Sequence, residues 1–416
     1  MEIIYNRFLK PFENKRKGNV GIELEFPLLN MSKKPVSREV ANGLLDLFLK
    51  KGFRVEEKTL DGENAFIINN EKDVLSFDNS YNNFEFSMQY GDNLCDIANR
   101  FYEYFEVAQS YVKKHNHILT GLGSNPYKKY ATKSRVNFPV YNMIDSYLHT
   151  FPAQHNCPDF PAYISSAQTH LDLSIDELPF AATVFGRLDF IRGLLFSNSP
   201  AWDGSKTLCV RDYLWEKSAF PDTNTGKLDN AYNTTDDIMD DFKSRKMFNC
   251  KRDGKYIVFA PVLVSKYFDR QSSSDIENFL SFKNVEITAR ATLEVRSDCA
   301  QPVRDAIAPS AFSLGILYNI TKANELISEF DTTLSNTKLR NKVISGEDLA
   351  LPESFLSRFI DCARQGLLMR KKGEEKFLIP LYQRAKQNAC PAKTAIERLK
   401  NGEPIENIIV DYSKPF

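Results

Sequence analysis

The sequence predicts an α+β fold, and three observations carry that prediction. Strand-like alternation is concentrated before Arg296. Helical spacing dominates from Pro302 to the end. Four of the strand-like segments also carry acidic, amide, imidazole or guanidinium groups at every second position among apolar residues.

The elements follow in order. GNVGIELEFPLLN (Gly18–Asn30) alternates Glu23 and Glu25 with Ile22, Leu24 and Phe26, so the two carboxylates share one strand face. Ser37 to Lys51 reads as a helix, with Ser37 as cap, Leu44, Leu45 and Phe48 on one face and Gly52 as stop. Residues 53–90 read as strands with turns at Asp61-Gly62 and around Asn79-Ser80. Asp92 to His117 reads as one long amphipathic helix, which leaves His115 and His117 at its end as surface residues. Ser165 to Leu173 alternates as a strand, and Leu178 to Phe196 reads as a helix. Residues 221–245 are polar and turn-rich, the composition of a mobile loop able to act as a lid. Asn284 to Arg296 reads as a further strand.

Length and composition limit the function classes. The chain has 416 residues, 42% of them hydrophobic, with 54 basic against 54 acidic residues. A formal net charge of zero and no basic stripe argue against a nucleic-acid partner. MEIIYNRFLK lacks a signal-peptide core, and no apolar run is long enough to cross a membrane. The seven cysteines (Cys95, Cys157, Cys209, Cys250, Cys299, Cys362, Cys390) are scattered and form no Cys-x-x-Cys. That pattern suits reduced thiols in a cytoplasm, not a disulfide framework or a structural zinc site. Cys299 reads as a small buried apolar residue. His149, His155 and Cys157 share a loop that reads as structural.

The polar groups in the strands invite a chemical reading. Besides Glu23 and Glu25, Asp78 and Glu85 lie in VLSFDNSYNNFEFSMQY, Gln168, His170 and Asp172 in SSAQTHLDLS, and Glu294 and Arg296 in TLEVRSDCAQP. A solvated sheet face accounts for any one of these. Yet Glu, Asp, Gln, His and Arg are poor strand formers, and carboxylates converging on one face repel unless cations lie between them. Carboxylate oxygens with one imidazole suit Mg²⁺ or Mn²⁺. Several metals with an arginine on one sheet face suit phosphoryl transfer, in which charge stabilisation is most of the catalysis. Neither a P-loop nor a GxGxxG turn is present.

GIELEF, FDNSYNNFEFS, AQTHLDLS and TLEVRSDCAQP, in that order, resemble the metal-binding strands of the glutamate–cysteine ligase superfamily, plant-type and proteobacterial branch. That superfamily belongs to the carboxylate–amine ligases with a glutamine-synthetase-like fold, a curved, largely antiparallel sheet with surrounding helices. GLGSNPY, LLFSNSPAWDG, RDYLWEKSAFPDTNTG and the tail Ala363–Asn407 are similar to further family segments, so the likeness covers most of the chain. The resemblance implies a catalytic domain over 1–330 and a helical C-terminal extension over 331–416.

It also implies an activity. ATP phosphorylates the side-chain carboxylate of glutamate, and the amino group of cysteine attacks the acyl phosphate to give γ-glutamylcysteine, ADP and phosphate. Glu23, Glu25, Asp78, Glu85, His170 and Glu294 are the implied ligands of two or three Mg²⁺ or Mn²⁺ ions. Arg296 is implied at the transferred phosphoryl group or glutamate, Arg211 at glutamate or phosphate, and Gln168 near nucleotide and metal. Asp172 reads as a solvated strand residue. One departure stands out: where the resemblance implies Arg-Thr-Gly, this chain has Asn224-Thr-Gly, so a nucleotide contact made by that arginine is either lost or moved to Lys217 or Lys227. The implied partners are small molecules, with no nucleic acid and no membrane, and the implied state is a monomer or homodimer. A ligase for another amine, a catalytically silent homologue and a metal-dependent phosphohydrolase are the alternatives.

Overall fold

The computed structural model describes residues 2–14, 18–62, 64–269, 273–330 and 333–415. Thirteen strands occur among them: β1 Val20–Asn30, β2 Arg54–Lys58, β3 Ala65–Asn69, β4 Val74–Phe77, β5 Asn83–Gly91, β6 His117–Leu119, β7 Ser166–Asp172, β8 Thr225–Gly226, β9 Lys246–Arg252, β10 Lys255–Leu263, β11 Phe282–Lys283, β12 Val285–Ile287 and β13 Thr292–Cys299. Nine form one antiparallel sheet in the order β12-β13-β7-β1-β5-β4-β3-β2, with β6 also on β1. β9 and β10 make a separate hairpin, and β8 pairs with β11.

The alternation in β1 decides which way the sheet faces. Ile22, Leu24 and Phe26 are buried on its core side, where Phe26 stacks on Phe101 with ring centroids 5.7 Å apart. Phe101 belongs to the helix Leu94–Lys114, whose buried residues Leu94, Ile97, Ala98, Phe101 and Phe105 recur at helical spacing. Glu23 and Glu25 therefore point to the other face. The helix Arg38–Leu49 starts where Ser37 Oγ accepts the Val40 amide at 3.4 Å, as its capping residue predicts.

The C-terminal helices share this core, since one apolar cluster runs from Ile4 to Ala385. Gly315 and Gly366 let the helices Ala308–Tyr318 and Phe355–Arg370 touch backbone to backbone. A Cβ on Gly366 would lie 1.9 Å from the Gly315 carbonyl oxygen. Gly366→Ala is therefore expected to destabilise the protein by about 1–3 kcal/mol, the usual cost of overpacking. An unchanged urea midpoint would show that the two helices are not locked this way. The boundary expected after residue 330 falls at residues 331 and 332, which lie outside the described residues.

Several expectations need correction. His117 is not on the surface at a helix end. The helix stops at Lys114, and His117 is buried in β6, where its Nε2 accepts the Ser37 amide at 3.3 Å. The segment Leu178–Phe196 is two helices, Leu178–Arg187 and Asp189–Phe196. The single strand expected over Asn284–Arg296 is the hairpin β12–β13, whose turn uses Ala291 at φ 60° instead of glycine. Residues 221–245 contain the helix Thr235–Ser244, begun by a capping box of Thr234 and Asp237. Asn224, where the resemblance leads one to expect arginine, is fully buried and staples three segments. Its amide nitrogen donates to the Lys246 and Leu280 carbonyls at 2.8 and 2.9 Å, and its oxygen accepts the Lys246 amide at 2.8 Å.

No helix among the described residues is long and apolar enough to cross a membrane. All seven cysteines are free thiols. Cys299 is buried with its Sγ 3.5 Å from that of Cys209.

Candidate active site

Strand register assembles the polar face. Glu25 lies opposite Glu85 across β1–β5, and Glu23 opposite Gln168 across β1–β7. His170 lies opposite Glu294, and Glu294 opposite Glu286, so these three form one row over β7, β13 and β12. Opposed residues share a face, so the carboxylates converge on the side of the sheet away from Phe26 and its helix.

They gather into two groups whose candidate ligand atoms lie within 4.8 Å of one another. One is Glu23, His170 and Glu294; the other is Glu25, Asp78 and Glu85. In the first, His170 Nε2 is 3.1 Å from Glu23 Oε1 and 3.9 Å from Glu294 Oε1. Its Nδ1 is 2.9 Å from Thr292 Oγ1, which fixes the ring. Arg296 donates to Glu294 Oε1 at 2.7 Å, and the exposed Arg290 reaches Glu23 at 3.3 Å from the β12–β13 turn. In the second, Glu25 accepts from Asn83 Nδ2 (3.2 Å), the Ser166 amide (2.8 Å), Ser166 Oγ (2.9 Å) and Gln168 Nε2 (3.0 Å). Gln168 Oε1 is left buried without a hydrogen-bond partner.

The electrostatics differ between the groups. Burial opposes the charge of Glu23, but His170, Arg290 and Arg296 together hold its carboxyl down at about 2. Burial and then Glu25 push Asp78 up to about 7. Burial, then Glu23, Asp78 and Glu25, hold Glu85 well above the usual carboxylate range. Burial and mutual repulsion thus disfavour charge on Asp78 and Glu85 beside Glu25, and a hard divalent ion would relieve that repulsion.

A pH effect follows. Without metal, Asp78 and Glu85 keep protons between about pH 4.5 and 7 that carboxyls in the unfolded chain have lost. With more protons bound folded than unfolded, their contribution to stability falls as pH rises through that window. Glu23, held low, contributes stability that is lost only at more acid pH. Mg²⁺ is therefore expected to raise the melting temperature more at pH 7.5 than at pH 5.5. An increment independent of pH would contradict this charge account.

Of the ten residues singled out from sequence, eight meet on this face: Glu23, Glu25, Asp78, Glu85, Gln168, His170, Glu294 and Arg296. Arg211 is buried beside Ser199 and Asp212, its amide donating to Ser199 Oγ at 3.1 Å and its Nε without a partner. Lys217 pairs with Glu216 at 3.1 Å and lines a separate cavity of about 400 Å³. Neither has a hydrogen bond or ion pair with the eight among the described residues. Asp172 joins neither group and accepts the Asn19 amide at 3.3 Å.

The sequence reading missed Glu286, Arg290 and Tyr141. Glu286 and Arg290 belong to the hairpin read as one strand. Tyr141, in the helix Pro139–Thr150, hydrogen-bonds Asp78; burial and then Asp78 push its hydroxyl well above its usual range. A third group, Asp145, His149 and Asp159, already has a cation: Arg135 bridges the two carboxylates at 2.8 and 2.7 Å. His155 is tied instead to the Leu214 carbonyl at 2.9 Å.

Two motifs outside the face make structural contacts. Asn198 of the Asn-Ser-Pro segment donates to the Gly121 and Ala300 carbonyls at 2.6 and 2.7 Å. A Cβ on Gly121 would lie 1.8 Å from the Gln301 carbonyl oxygen, so the glycine turn and the end of the β13 segment pack with no room for a side chain.

The profile of Glutamate-cysteine ligase family 2 (GCS2) matches residues 19–340. No curated protein matches the chain significantly. The chain superposes on the glutamate–cysteine ligase of Francisella tularensis, solved in complex with AMP, with a TM-score of 0.58 and 12% identity, covering 96% of this chain and 88% of that one. It superposes on a bifunctional glutathione synthetase of Pasteurella multocida with a TM-score of 0.55 and 11% identity, covering 99% of this chain and 53% of that one, so it spans about half of that protein. At such identities the two share its fold. The family match extends over both carboxylate groups and Arg296, and the chain belongs to glutamate–cysteine ligase family 2, a family of ligase enzymes.

Proposed function

We propose that the chain uses ATP to join the γ-carboxylate of glutamate to the amino group of cysteine. The observation that carries this reading is the meeting of eight sequence-selected residues on one sheet face, in two groups of three candidate ligands. In this reading a γ-carboxylate oxygen attacks the terminal phosphorus of ATP, and the bond to the departing ADP oxygen breaks. The cysteine nitrogen then attacks the carbonyl carbon of the γ-glutamyl phosphate. Phosphate leaves, the amine proton passes to solvent, and γ-glutamylcysteine remains.

Glu23, His170 and Glu294 would hold one Mg²⁺ or Mn²⁺ ion, and Glu25, Asp78 and Glu85 another; the resemblance implies two or three ions in all. Bound ions offset the repulsion between carboxylate and triphosphate, which for two unit charges about 4 Å apart is roughly 4 kcal/mol at an effective dielectric near 20. Arg296, held by Glu294, presents its remaining N–H groups to the transferred phosphoryl group. Gln168 offers its unpartnered oxygen toward a ligand on the same face. That the Francisella ligase was solved in complex with AMP supports nucleotide binding in this reading. The roles of Arg211 in glutamate or phosphate binding and of Lys217 in nucleotide binding stand on the resemblance alone, as does the division into a 1–330 catalytic unit and a 331–416 extension.

The test is ADP release by the purified chain with ATP, Mg²⁺ and glutamate, with and without amines led by cysteine and 2-aminobutyrate, with product mass read in parallel. Release that needs both amino acids and yields γ-glutamylcysteine is the expected result. Release with another amine keeps the mechanism and changes the acceptor. No release with any combination, in a folded protein that binds Mg·ATP, would overturn the reading.

A further inference from the structure

β13 departs from regular pairing just past Glu294. Val295 lies opposite Thr169 and Asp298 opposite Ala167, so Arg296 and Ser297 together face the single residue Gln168. This is a β-bulge, which bends a strand and re-aims its side chains. Strict alternation would turn Asp298 to the carboxylate face with Glu294 and Arg296. The extra residue turns it to the core side instead, where it is buried and paired with Arg192 of the helix Asp189–Phe196.

A bulge interrupts the strand ladder, and two backbone groups at this one are held from beyond β7. The Arg296 amide donates to the Asn284 carbonyl at 2.9 Å. The Ser297 carbonyl accepts from Arg340 Nη2 at 3.1 Å. Asn284 and Arg340 meet on one residue, Asp189. Asn284 Nδ2 donates to Asp189 Oδ2 at 2.7 Å, and Arg340 Nη1 donates to the Asp189 carbonyl at 2.6 Å. Arg340 Nε donates to Asp212 Oδ2 at 2.8 Å, next to Arg211. Arg340 is 1% exposed. Gly193 admits it, because a Cβ there would lie 2.9 Å from Arg340 Nη1.

We infer that Arg340 is a positioning residue for phosphoryl transfer: its contacts with Ser297 and Asp189 fix the bulge and with it the aim of Arg296. This rests on the ligase reading above, through the role proposed there for Arg296. The Arg296 side chain is held on the sheet face by Glu294, and its backbone is held from behind by the Arg340–Asp189–Asn284 chain. Arg340 belongs to the helix Asn336–Ile344, so a helix from the C-terminal part of the chain reaches the strand that carries the site. A planar guanidinium can hold Ser297, Asp189 and Asp212 together, whereas an ammonium is a single point of charge. A merely structural tie would lower activity whether or not Arg296 is present; a positioning residue acts only through Arg296.

The test is a double-mutant cycle on the full chain between Arg340→Lys and Arg296→Met, read as kcat for ADP release, KM for ATP and the number of Mn²⁺ ions bound. Arg340→Lys keeps a cation beside the buried Asp212 but gives up the fork. It is expected to lower kcat by about 10–100-fold, the scale of a misplaced catalytic group, with KM and the Mn²⁺ count kept. In the Arg296→Met background the same change should alter kcat by no more than about twofold. Gly193→Ala crowds the guanidinium while leaving Arg340 in place; it is expected to act in the same way, and it carries the test if the lysine variant fails to fold. Equal losses in both backgrounds, or no loss in either, would overturn the inference and leave the ligase reading intact. A parent that releases no ADP would defeat the ligase reading before any variant is made, and the bulge is then read by hydrogen exchange of the peptide Thr292–Cys299. Faster exchange in both variants would keep Arg340 as the residue that holds Arg296, and unchanged exchange would overturn the inference.

Discussion

Glu85→Gln is expected to cut turnover by at least about 10²–10³-fold, the scale set by losing one preorganised electrostatic group, without lowering the melting temperature of the metal-free protein. Glu85 already holds a proton there, because burial, Glu23, Asp78 and Glu25 all disfavour its charge. A glutamine of the same shape replaces a neutral acid and costs little. The loss appears only when the site must become anionic to receive a cation. Glu23→Gln should lose as much activity but behave differently in stability. Glu23 is held charged by His170, with Arg290 and Arg296 assisting, so its neutralisation removes favourable pairs and lowers the melting point. Steady-state ADP release and melting curves in chelator separate the two effects. Full turnover in either variant would remove that residue from the site.

Arg296→Met is expected to lower kcat by about 10³-fold or more, the effect of removing an arginine that stabilises phosphoryl transfer, while Mn²⁺ binding persists. Arg296 holds Glu294 through Nη1, and four carboxylates (Glu294, Glu23, Glu286 and Glu25) outweigh burial in keeping it charged. Arg296→Lys should recover only a small part of the rate, because an ammonium cannot hold Glu294 and a phosphoryl oxygen in one planar fork. A Met variant with parental kcat and a raised KM for ATP would assign Arg296 to ground-state binding instead.

Much of this site was legible because a period of two survives in sequence. Glu23 and Glu25, Gln168 and His170, and Glu294 and Arg296 each announced a shared face, and antiparallel register then joined the faces. Asp78, beyond the end of β4, was noted in its strand-like segment, and its role as a ligand came from the resemblance. Glu286 was lost because Thr288–Ala291 turns without Gly or Pro, so two short strands read as one. His117 was misplaced because the three-residue strand β6 is too short to carry a period. The polarity of 221–245 suggested a loop, but Asn224 spends its amide on three backbone partners and Thr234 caps a helix. Local composition does not reveal such tertiary staples. The Asp253-Gly254 turn between β9 and β10 was a readable hairpin signal and went unused. Arg211, placed by the resemblance, and Lys217, placed by the departure at Asn224, make no hydrogen bond or ion pair with the other eight among the described residues, so strand register gives no support for their roles.

The most direct measurement of the central claim is the number of Mn²⁺ ions bound per chain, counted by electron paramagnetic resonance titration with a non-hydrolysable ATP analogue and glutamate present. At least two ions are expected in the parent, with one lost in Glu85→Gln and a different one lost in His170→Asn. A parent that binds no Mn²⁺ beyond the one carried by the nucleotide, or variants with undiminished counts, would contradict the account of this face as a metal centre for phosphoryl transfer.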